Sequence, residues 1–401
     1  MISKRAQNLS PSETLKISAK AKQLIREGKS VISLSAGEPD FNTPDHICEA
    51  AIKAIKEGHH GYTVNTGTPE LRNEIVKKLQ RDNGLDYDPE QIVVSNGAKQ
   101  SIGFSMLALL DPGDEVIIPS PYWVSYPEMV KLADGKPVAL RTSIENNYKI
   151  KPEELEDAIT DKTKALILCT PSNPTGACYT RKELEDIAEV LRRYPRIVIL
   201  SDEIYEYIVF DGDHTGFVQA APDLKKRTVL INGFSKGFAM TGWRLGYLAA
   251  PVSIASAVAK IQSQETSAPS SISQKAGEAA YKGTLDEVYR MKEAFKKRRD
   301  YIVDELKAIP GIKCFKPSGA FYVFPDCSAY LGTTTSDGKN IKTTTELCIY
   351  LLEKHGVATV PGDAFGEPSG FRISYAVSMD HLEEAVKRLK NGFSELESSL
   401  K

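Results

Sequence analysis

The chain has 401 residues, room for two domains at about 150 residues each or for one large domain with an appendage. Hydrophobic residues make up 41% and charged residues 26%, enough apolar chain for a full core, which excludes a disordered chain and a disulfide-stapled mini-fold. Lys plus Arg is 51 and Asp plus Glu is 53, a formal charge of −2, so no global field draws the protein to nucleic acid or anionic lipid and any anion site has to be local.

From about residue 90 short apolar runs alternate with longer amphipathic segments. Strands are expected at 92–94, 115–118, 137–140, 165–168, 197–200, 229–231 and 245–249. Helices are expected between them at 101–110, 123–132, 152–159 and 182–193. Such alternation predicts an α/β fold, a mostly parallel sheet with helices on both faces. After residue 285 the pattern changes to a charged helix at 293–306, strands at 312–315, 320–324 and 373–375, a polar loop at 332–342 and an amphipathic helix at 380–393. The expected division is an N-terminal arm and part of the small domain at 1–45, a large α/β domain at 46–285, and a smaller α+β domain at 286–401. The basic run Lys296-Lys297-Arg298-Arg299 reads as a solvated helix face, because acids surround it and no aromatic platform accompanies it.

The densest chemistry lies in Asn232-Gly-Phe-Ser-Lys-Gly-Phe-Ala-Met-Thr-Gly-Trp-Arg-Leu-Gly246, at a strand end where ligands of open α/β sheets collect. A close-packed, partly desolvated Lys236 can attack a carbonyl as a Schiff-base nucleophile. Arg244 nearby can clamp a phosphate with two bonds. Asp202 follows an apolar strand and projects from its carboxyl end, either as a cleft carboxylate or as a helix N-cap. Ser95-Asn-Gly-Ala-Lys-Gln100 runs from a strand into a helix whose first N–H groups, at Gly97, Ala98 and Lys99, form an anion site. Pro171-Ser-Asn-Pro-Thr-Gly176 is a stiff turn that holds Asn173 extended.

These segments resemble, in order and over essentially the whole chain, the class I pyridoxal-phosphate aminotransferases. Gly233-Phe-Ser-Lys-x-x-Ala-Met-x-Gly-x-Arg-Leu-Gly246 is similar to the family's cofactor attachment site. Ala36-Gly-Glu-Pro-Asp40, Pro121-Tyr-Trp123, Pro171-Ser-Asn-Pro-Thr-Gly176, Ser201-Asp-Glu-Ile-Tyr205 and Phe371-Arg-Ile-Ser374 extend the match. Within the family the resemblance is to the aspartate aminotransferases of the thermophile and plastid type. It implies a fold-type I transferase that binds pyridoxal 5′-phosphate through Lys236. Asp202 would meet the ring nitrogen, Asn173 and Tyr205 the phenolic oxygen, and Trp123 the ring face. Gly97, Ala98, Lys99, Ser235 and Arg244 would hold the phosphate. Tyr62 would reach it from a neighbouring subunit, which implies a homodimer with shared sites. Arg372, with Gly37, Trp123 and Asn173, would bind the substrate. Lys99 resembles the subgroup's residue for the distal carboxylate. The expected reaction is amino transfer between aspartate and 2-oxoglutarate; some members of the subgroup also act on prephenate.

Gly233-Phe-Ser235-Lys-Gly237 also satisfies Gly-x-Ser-x-Gly, with Asp363 and His381 following in hydrolase order. No His-Gly-Gly-Gly motif accompanies it, so a hydrolase using Ser235 is the distant alternative. A binding module without catalysis would leave the co-occurrence of Lys236, Asp202 and Arg244 unexplained. Gly332–Lys339 is one residue too long for a phosphate loop, and Asn340 stands where Ser or Thr is required. Cys48, Cys169, Cys178, Cys314, Cys327 and Cys348 show no metal spacing, and the six histidines offer no i, i+4 pair. Scattered thiols, together with an N-terminus that lacks an apolar run of signal-peptide length, predict a cytoplasmic protein.

Overall fold

The computed structural model describes residues 1–10 and 13–397. A short strand, β1 (Ile32–Ser33), precedes helices Asp45–Lys56 and Pro69–Asn83. The central sheet is built from β2 (Ile92–Ser95), β3 (Glu115–Ser120), β4 (Lys136–Arg141), β5 (Thr163–Cys169), β6 (Val198–Asp202), β7 (Thr228–Gly233) and β8 (Gly246–Ala249). Their order is β2-β8-β7-β6-β5-β3-β4. Strands β3 to β7 pair in parallel, and β8 runs antiparallel between β2 and β7.

Burial explains the sequence pattern. Strand β7 is buried at every position, the continuous apolar run of a parallel strand covered on both faces. Edge strand β4 is exposed at Lys136, Ala139 and Arg141 and half-buried between them, with a charged residue at each end, which blunts the unpaired edge. Helix Arg181–Arg192 starts at a capping box of Thr180 and Glu183, and it buries Leu184, Ile187, Ala188 and Leu191 along one stripe. Helix Pro69–Asn83 has Thr68 as N-cap, Pro69 in its first turn, and Gly84 at φ 63° as its left-handed cap.

The C-terminal part uses much shorter strands: β9 (Tyr322–Val323), β10 (Val357–Ala358), β11 (Val360–Pro361) and β12 (Phe371–Ser374). Strands β11, β12 and β9 form one antiparallel sheet, while β1 pairs in parallel with β10 and so joins the N-terminal segment to this part. Helices Asp286–Lys307, Thr344–His355 and Met379–Glu397 complete it. The strand expected at 312–315 is not formed. Pro310 and Gly311 precede this run and Pro317 follows it, and only Lys313 makes a bridge, to Asp326. Among the described residues no helix is long and apolar enough to cross a membrane.

Candidate active site

A cavity of about 330 Å³ opens where the carboxyl ends of β5, β6 and β7 face the C-terminal part, the crevice in which open parallel sheets place their ligands. Its lining includes Gly37, Ala98, Lys99, Trp123, Asn173, Asp202, Tyr205, Ser235, Lys236, Arg244 and Arg372. Of the residues singled out in the sequence, only Gly97 and Tyr62 are not in contact with it. Gly97 caps the helix that supplies Ala98 and Lys99. Tyr62 is fully exposed on the loop before Thr68.

Lys236 stands three residues beyond β7, and its Nζ donates to the Gly37 carbonyl at 2.5 Å. Enclosure disfavours its charge and pushes its pKa down to about 8, with Glu38 pulling the other way. Near neutral pH the ammonium still predominates, with roughly a tenth as free amine, a share that grows as the pH rises through about 8. Asp202 ends β6 and is 3% exposed. Its Oδ2 accepts from the Tyr126 hydroxyl at 2.6 Å and its Oδ1 from the Ile204 N–H at 3.2 Å. Burial raises its pKa to about 6, against the pull of these two bonds. A buried carboxylate in this state is poised to pair with a protonated nitrogen.

The anion cradle is built from backbone. Helix Ala98–Leu109 begins at Gly97, φ 82°, and the Ala98 and Lys99 N–H groups have no partner among the described residues. A Cβ on Gly97 would lie 2.5 Å from the Arg244 guanidinium, and one on Gly246 would run into the Ala98 nitrogen. Glycine at both positions thus lets the arginine and the helix start converge. Gly233 faces Gly246 across β7 and β8, and a Cβ there would meet Gly246 Cα at 2.8 Å. Arg244 itself adopts φ 54°, a left-handed conformation that costs a side-chain-bearing residue about 1 kcal/mol or more. Its Nη1 donates to the Thr241 carbonyl at 2.8 Å.

Opposite this floor, Arg372 is 3% exposed on β12. Its Nη1 donates to Asn173 Oδ1 at 3.0 Å and its Nη2 to the Ser35 carbonyl at 2.7 Å. The rings of Tyr322 and Phe365 lie 4.6 and 5.1 Å from its guanidinium carbon. Its Nε is buried with no partner, and among the described residues no carboxylate pairs with it. A buried cation so placed awaits an anion. Lys99 Nζ sits 5.3 Å from the Trp123 ring centre, and burial beside Arg244 lowers its pKa. Lys99, Lys236, Arg244 and Arg372, which have no ion pair among the described residues, thus share a cavity with Asp202, the one carboxylate among its described lining residues.

Among the lining residues that the sequence did not single out are two tyrosines. Tyr126 follows Trp123 by one helical turn, and its ring meets the indole edge-on at 5.3 Å. Tyr322 comes from β9, and its hydroxyl lies 2.9 Å from that of Tyr205. The hydrolase alternative fails on geometry. No histidine lines the cavity, His381 is exposed on the last helix, and the Asp363 carboxylate is taken by Thr344 and Thr345.

Fold and pocket together define an α/β enzyme with a desolvated lysine beside an anion cradle. The family model for class I and II aminotransferases matches residues 29–389, and the chain belongs to that family. It is 52% identical over 394 residues to a bifunctional aspartate aminotransferase and glutamate/aspartate-prephenate aminotransferase of Petunia hybrida, covering 97% of this chain and 82% of the relative. It is 50% identical to an aspartate aminotransferase of Geobacillus stearothermophilus, covering 97% and 98%. The crystal structure of the Rhizobium meliloti aspartate aminotransferase superposes with a TM-score of 0.96 at 47% identity over 99% of both chains. That of the Thermus thermophilus enzyme with maleate superposes with 0.91 at 40% identity, covering 98% and 99%. The family implies pyridoxal phosphate as cofactor, and the residues present fit it: an amine for its aldehyde, a buried acid for its ring nitrogen, and an N–H and guanidinium cradle for its phosphate.

Proposed function

We propose that this chain is an aspartate aminotransferase that moves the amino group of L-aspartate to 2-oxoglutarate, giving oxaloacetate and L-glutamate. The observation that carries this reading is the pair of cations that line the pocket with Lys236 and have no acidic partner among the described residues: Arg372, whose Nε is buried with no partner, and Lys99. Two such cations suit a substrate with two carboxylates.

When bound, pyridoxal phosphate supplies an aldehyde that captures amines and a ring that withdraws electrons from the substrate Cα. Asp202 keeps the ring nitrogen protonated, and Tyr126 keeps Asp202 in line. Asn173 and Tyr205 donate to the phenolic oxygen, and Trp123 covers the ring face. Arg244, Ser235 and the Ala98 and Lys99 N–H groups, set by Gly97, hold the phosphate. Arg372 and Gly37 grip the α-carboxylate, and Lys99 the distal one. Lys236 would hold the cofactor's aldehyde and, once freed by a substrate amine, its Nζ would serve as the base and acid that moves the substrate's Cα proton. Closure of Arg372 and Tyr322 over the floor excludes water from this transfer.

Tyr62, fully exposed and outside its own pocket, suits a homodimer in which it reaches the neighbouring phosphate. The division at 45 and 285 belongs to the same reading; the pairing of β1 with β10 and the helix beginning at Asp286 support it. Six free thiols accord with a cytoplasmic setting. A second substrate reading, amino transfer to prephenate at the same site, is favoured by a cavity of about 820 Å³ that adjoins the pocket at Lys99, Val124 and Ser125. The test is product formation by the purified chain loaded with cofactor. Oxaloacetate should accumulate from aspartate and 2-oxoglutarate; turnover of other amino acids without aspartate would remove the substrate assignment.

A further inference from the structure

The turn that carries Asp202 and Tyr205 has a second face. Side chains alternate at the end of β6, so Ser201 and Glu203 point away from the pocket that Asp202 lines. Glu203 is 1% exposed. Its Oε1 accepts from Ser201 Oγ at 2.7 Å and from the Phe217 N–H at 3.3 Å, and its Oε2 lies 3.0 Å from His214 Nε2. Glu206, also buried, accepts from Lys78 Nζ and, at 3.0 Å, from Asn83 Nδ2. Lys78 is wholly buried and donates to Asn83 Oδ1 at 2.8 Å. Glu203, Glu206 and His214 bring ligand atoms within 4.8 Å of one another, yet both Glu206 oxygens are engaged and the Lys78 ammonium supplies the positive charge. Neither Lys78 nor Asn83 lines the pocket.

A buried ion pair is a poor way to gain stability, since apolar side chains of similar volume do as well or better. Its use here falls at the residue next to Tyr205. We propose that Lys78 and Glu206 are positioning residues for Tyr205: a tether from helix Pro69–Asn83 to the back of the turn that fixes where the Tyr205 hydroxyl sits. The turn is also held by the Glu203 side-chain bonds, by Glu206 N–H to the Glu203 carbonyl at 2.9 Å and Ile208 N–H to the Tyr205 carbonyl at 2.8 Å, and by the Tyr207 hydroxyl, which donates to Asp82 on the same helix at 2.7 Å. Lys78 and Glu206 are the ion pair among these fastenings. The Tyr205 ring leans on Phe321 and Tyr322 at 5.5 and 5.8 Å, contacts supplied by the C-terminal part rather than by the large domain. The tether is the fixed side of the mount.

This inference rests on Tyr205 as the donor to the cofactor's phenolic oxygen. A well-placed donor stabilises negative charge there and lowers the pH at which the loaded enzyme's visible absorption changes; a displaced donor lets that pH rise. The test is a pH titration of the absorption spectrum of loaded Lys78→Met/Glu206→Gln, which removes both charges together. Its midpoint should move up by about half to one pH unit, the worth of one weakened hydrogen bond. Glu206→Gln alone, which keeps shape and weakens the tether, should shift it in the same direction. Leu184→Ala, a core truncation in helix Arg181–Arg192, should lower the melting temperature and leave the midpoint in place. Wild-type midpoints in both tether variants would overturn the proposal. Absence of a visible band in the wild-type protein with added pyridoxal phosphate would instead overturn the cofactor reading, and the tether's role with it.

Discussion

Lys236, Asp202 and the start of helix Ala98–Leu109 stand on a seven-stranded sheet, whereas Arg372 and Tyr322 come from strands of two to four residues. The floor is dense with main-chain ladder bonds, and its charged groups are set by strand ends and glycine contacts. The roof strands are as buried as the floor and share its apolar core, but the roof reaches the floor through bonds between residues distant in sequence, such as Arg372 to Asn173 and to Ser35, 199 and 337 positions away. The difference teaches a division of labour. A floor built on one continuous sheet suits a resident cofactor that must not shift, and a roof of short strands joined to it by sequence-distant contacts suits a substrate that enters and leaves in every half-reaction.

That contrast can be broken by substitution. Lys236→Ala removes the proposed proton carrier, and kcat should fall by about 10⁴-fold or more while the fold persists, measured by steady-state turnover and circular dichroism. On the roof, Arg372→Ala should raise KM for aspartate by about 10²-fold, with cofactor affinity kept; equal loss of cofactor would merge the two regions. Lys99→Ala should cost aspartate about tenfold in kcat/KM and leave alanine unchanged, one charge-assisted pair. Equal losses would show that Lys99 does not read the distal carboxylate.

The smallest expected effect sharpens the floor. The Tyr126 hydroxyl lowers the pKa of Asp202 against burial. In Tyr126→Phe that pKa rises, so the ionised carboxylate is lost at a higher pH as the solution is acidified. The acid limb of cofactor binding to the apo-protein should move up by about one unit, read from binding constants measured between pH 5 and 8. An unmoved limb would show that the bond at 2.6 Å does not govern Asp202.

The floor was the more legible region in the sequence. Its residues sit within motifs of contiguous chain, because a strand end followed by a turn places neighbours in sequence together in space. Ser235, Lys236 and Arg244 fall in one segment, and Asp202 and Tyr205 in another. Strands β2 to β8 were readable from apolar runs, although helix starts slipped by a few residues: the helix expected from 101 begins at Ala98. The roof was less legible. Tyr322 enters only because β9 pairs with β12, a contact that no local pattern announces. The apolar run at 312–315 looked like a strand but lacks the length between its prolines to pair beyond Lys313. The back-side pair of Lys78 and Glu206 was invisible for the same reason, since 128 positions separate them. Tyr126 did have a local cue, its place one turn beyond Trp123.

The central claim, a floor-held cofactor that exchanges amino groups with dicarboxylic acids, is tested most directly by one titration. The purified protein, loaded with pyridoxal phosphate, is followed by absorption as aspartate and then 2-oxoglutarate are added. The visible band should shift to the aminated cofactor's shorter wavelength with aspartate and return with 2-oxoglutarate. A band that responds to other amino acids and not to aspartate would contradict the substrate, and no band at all would contradict Lys236 as the anchor.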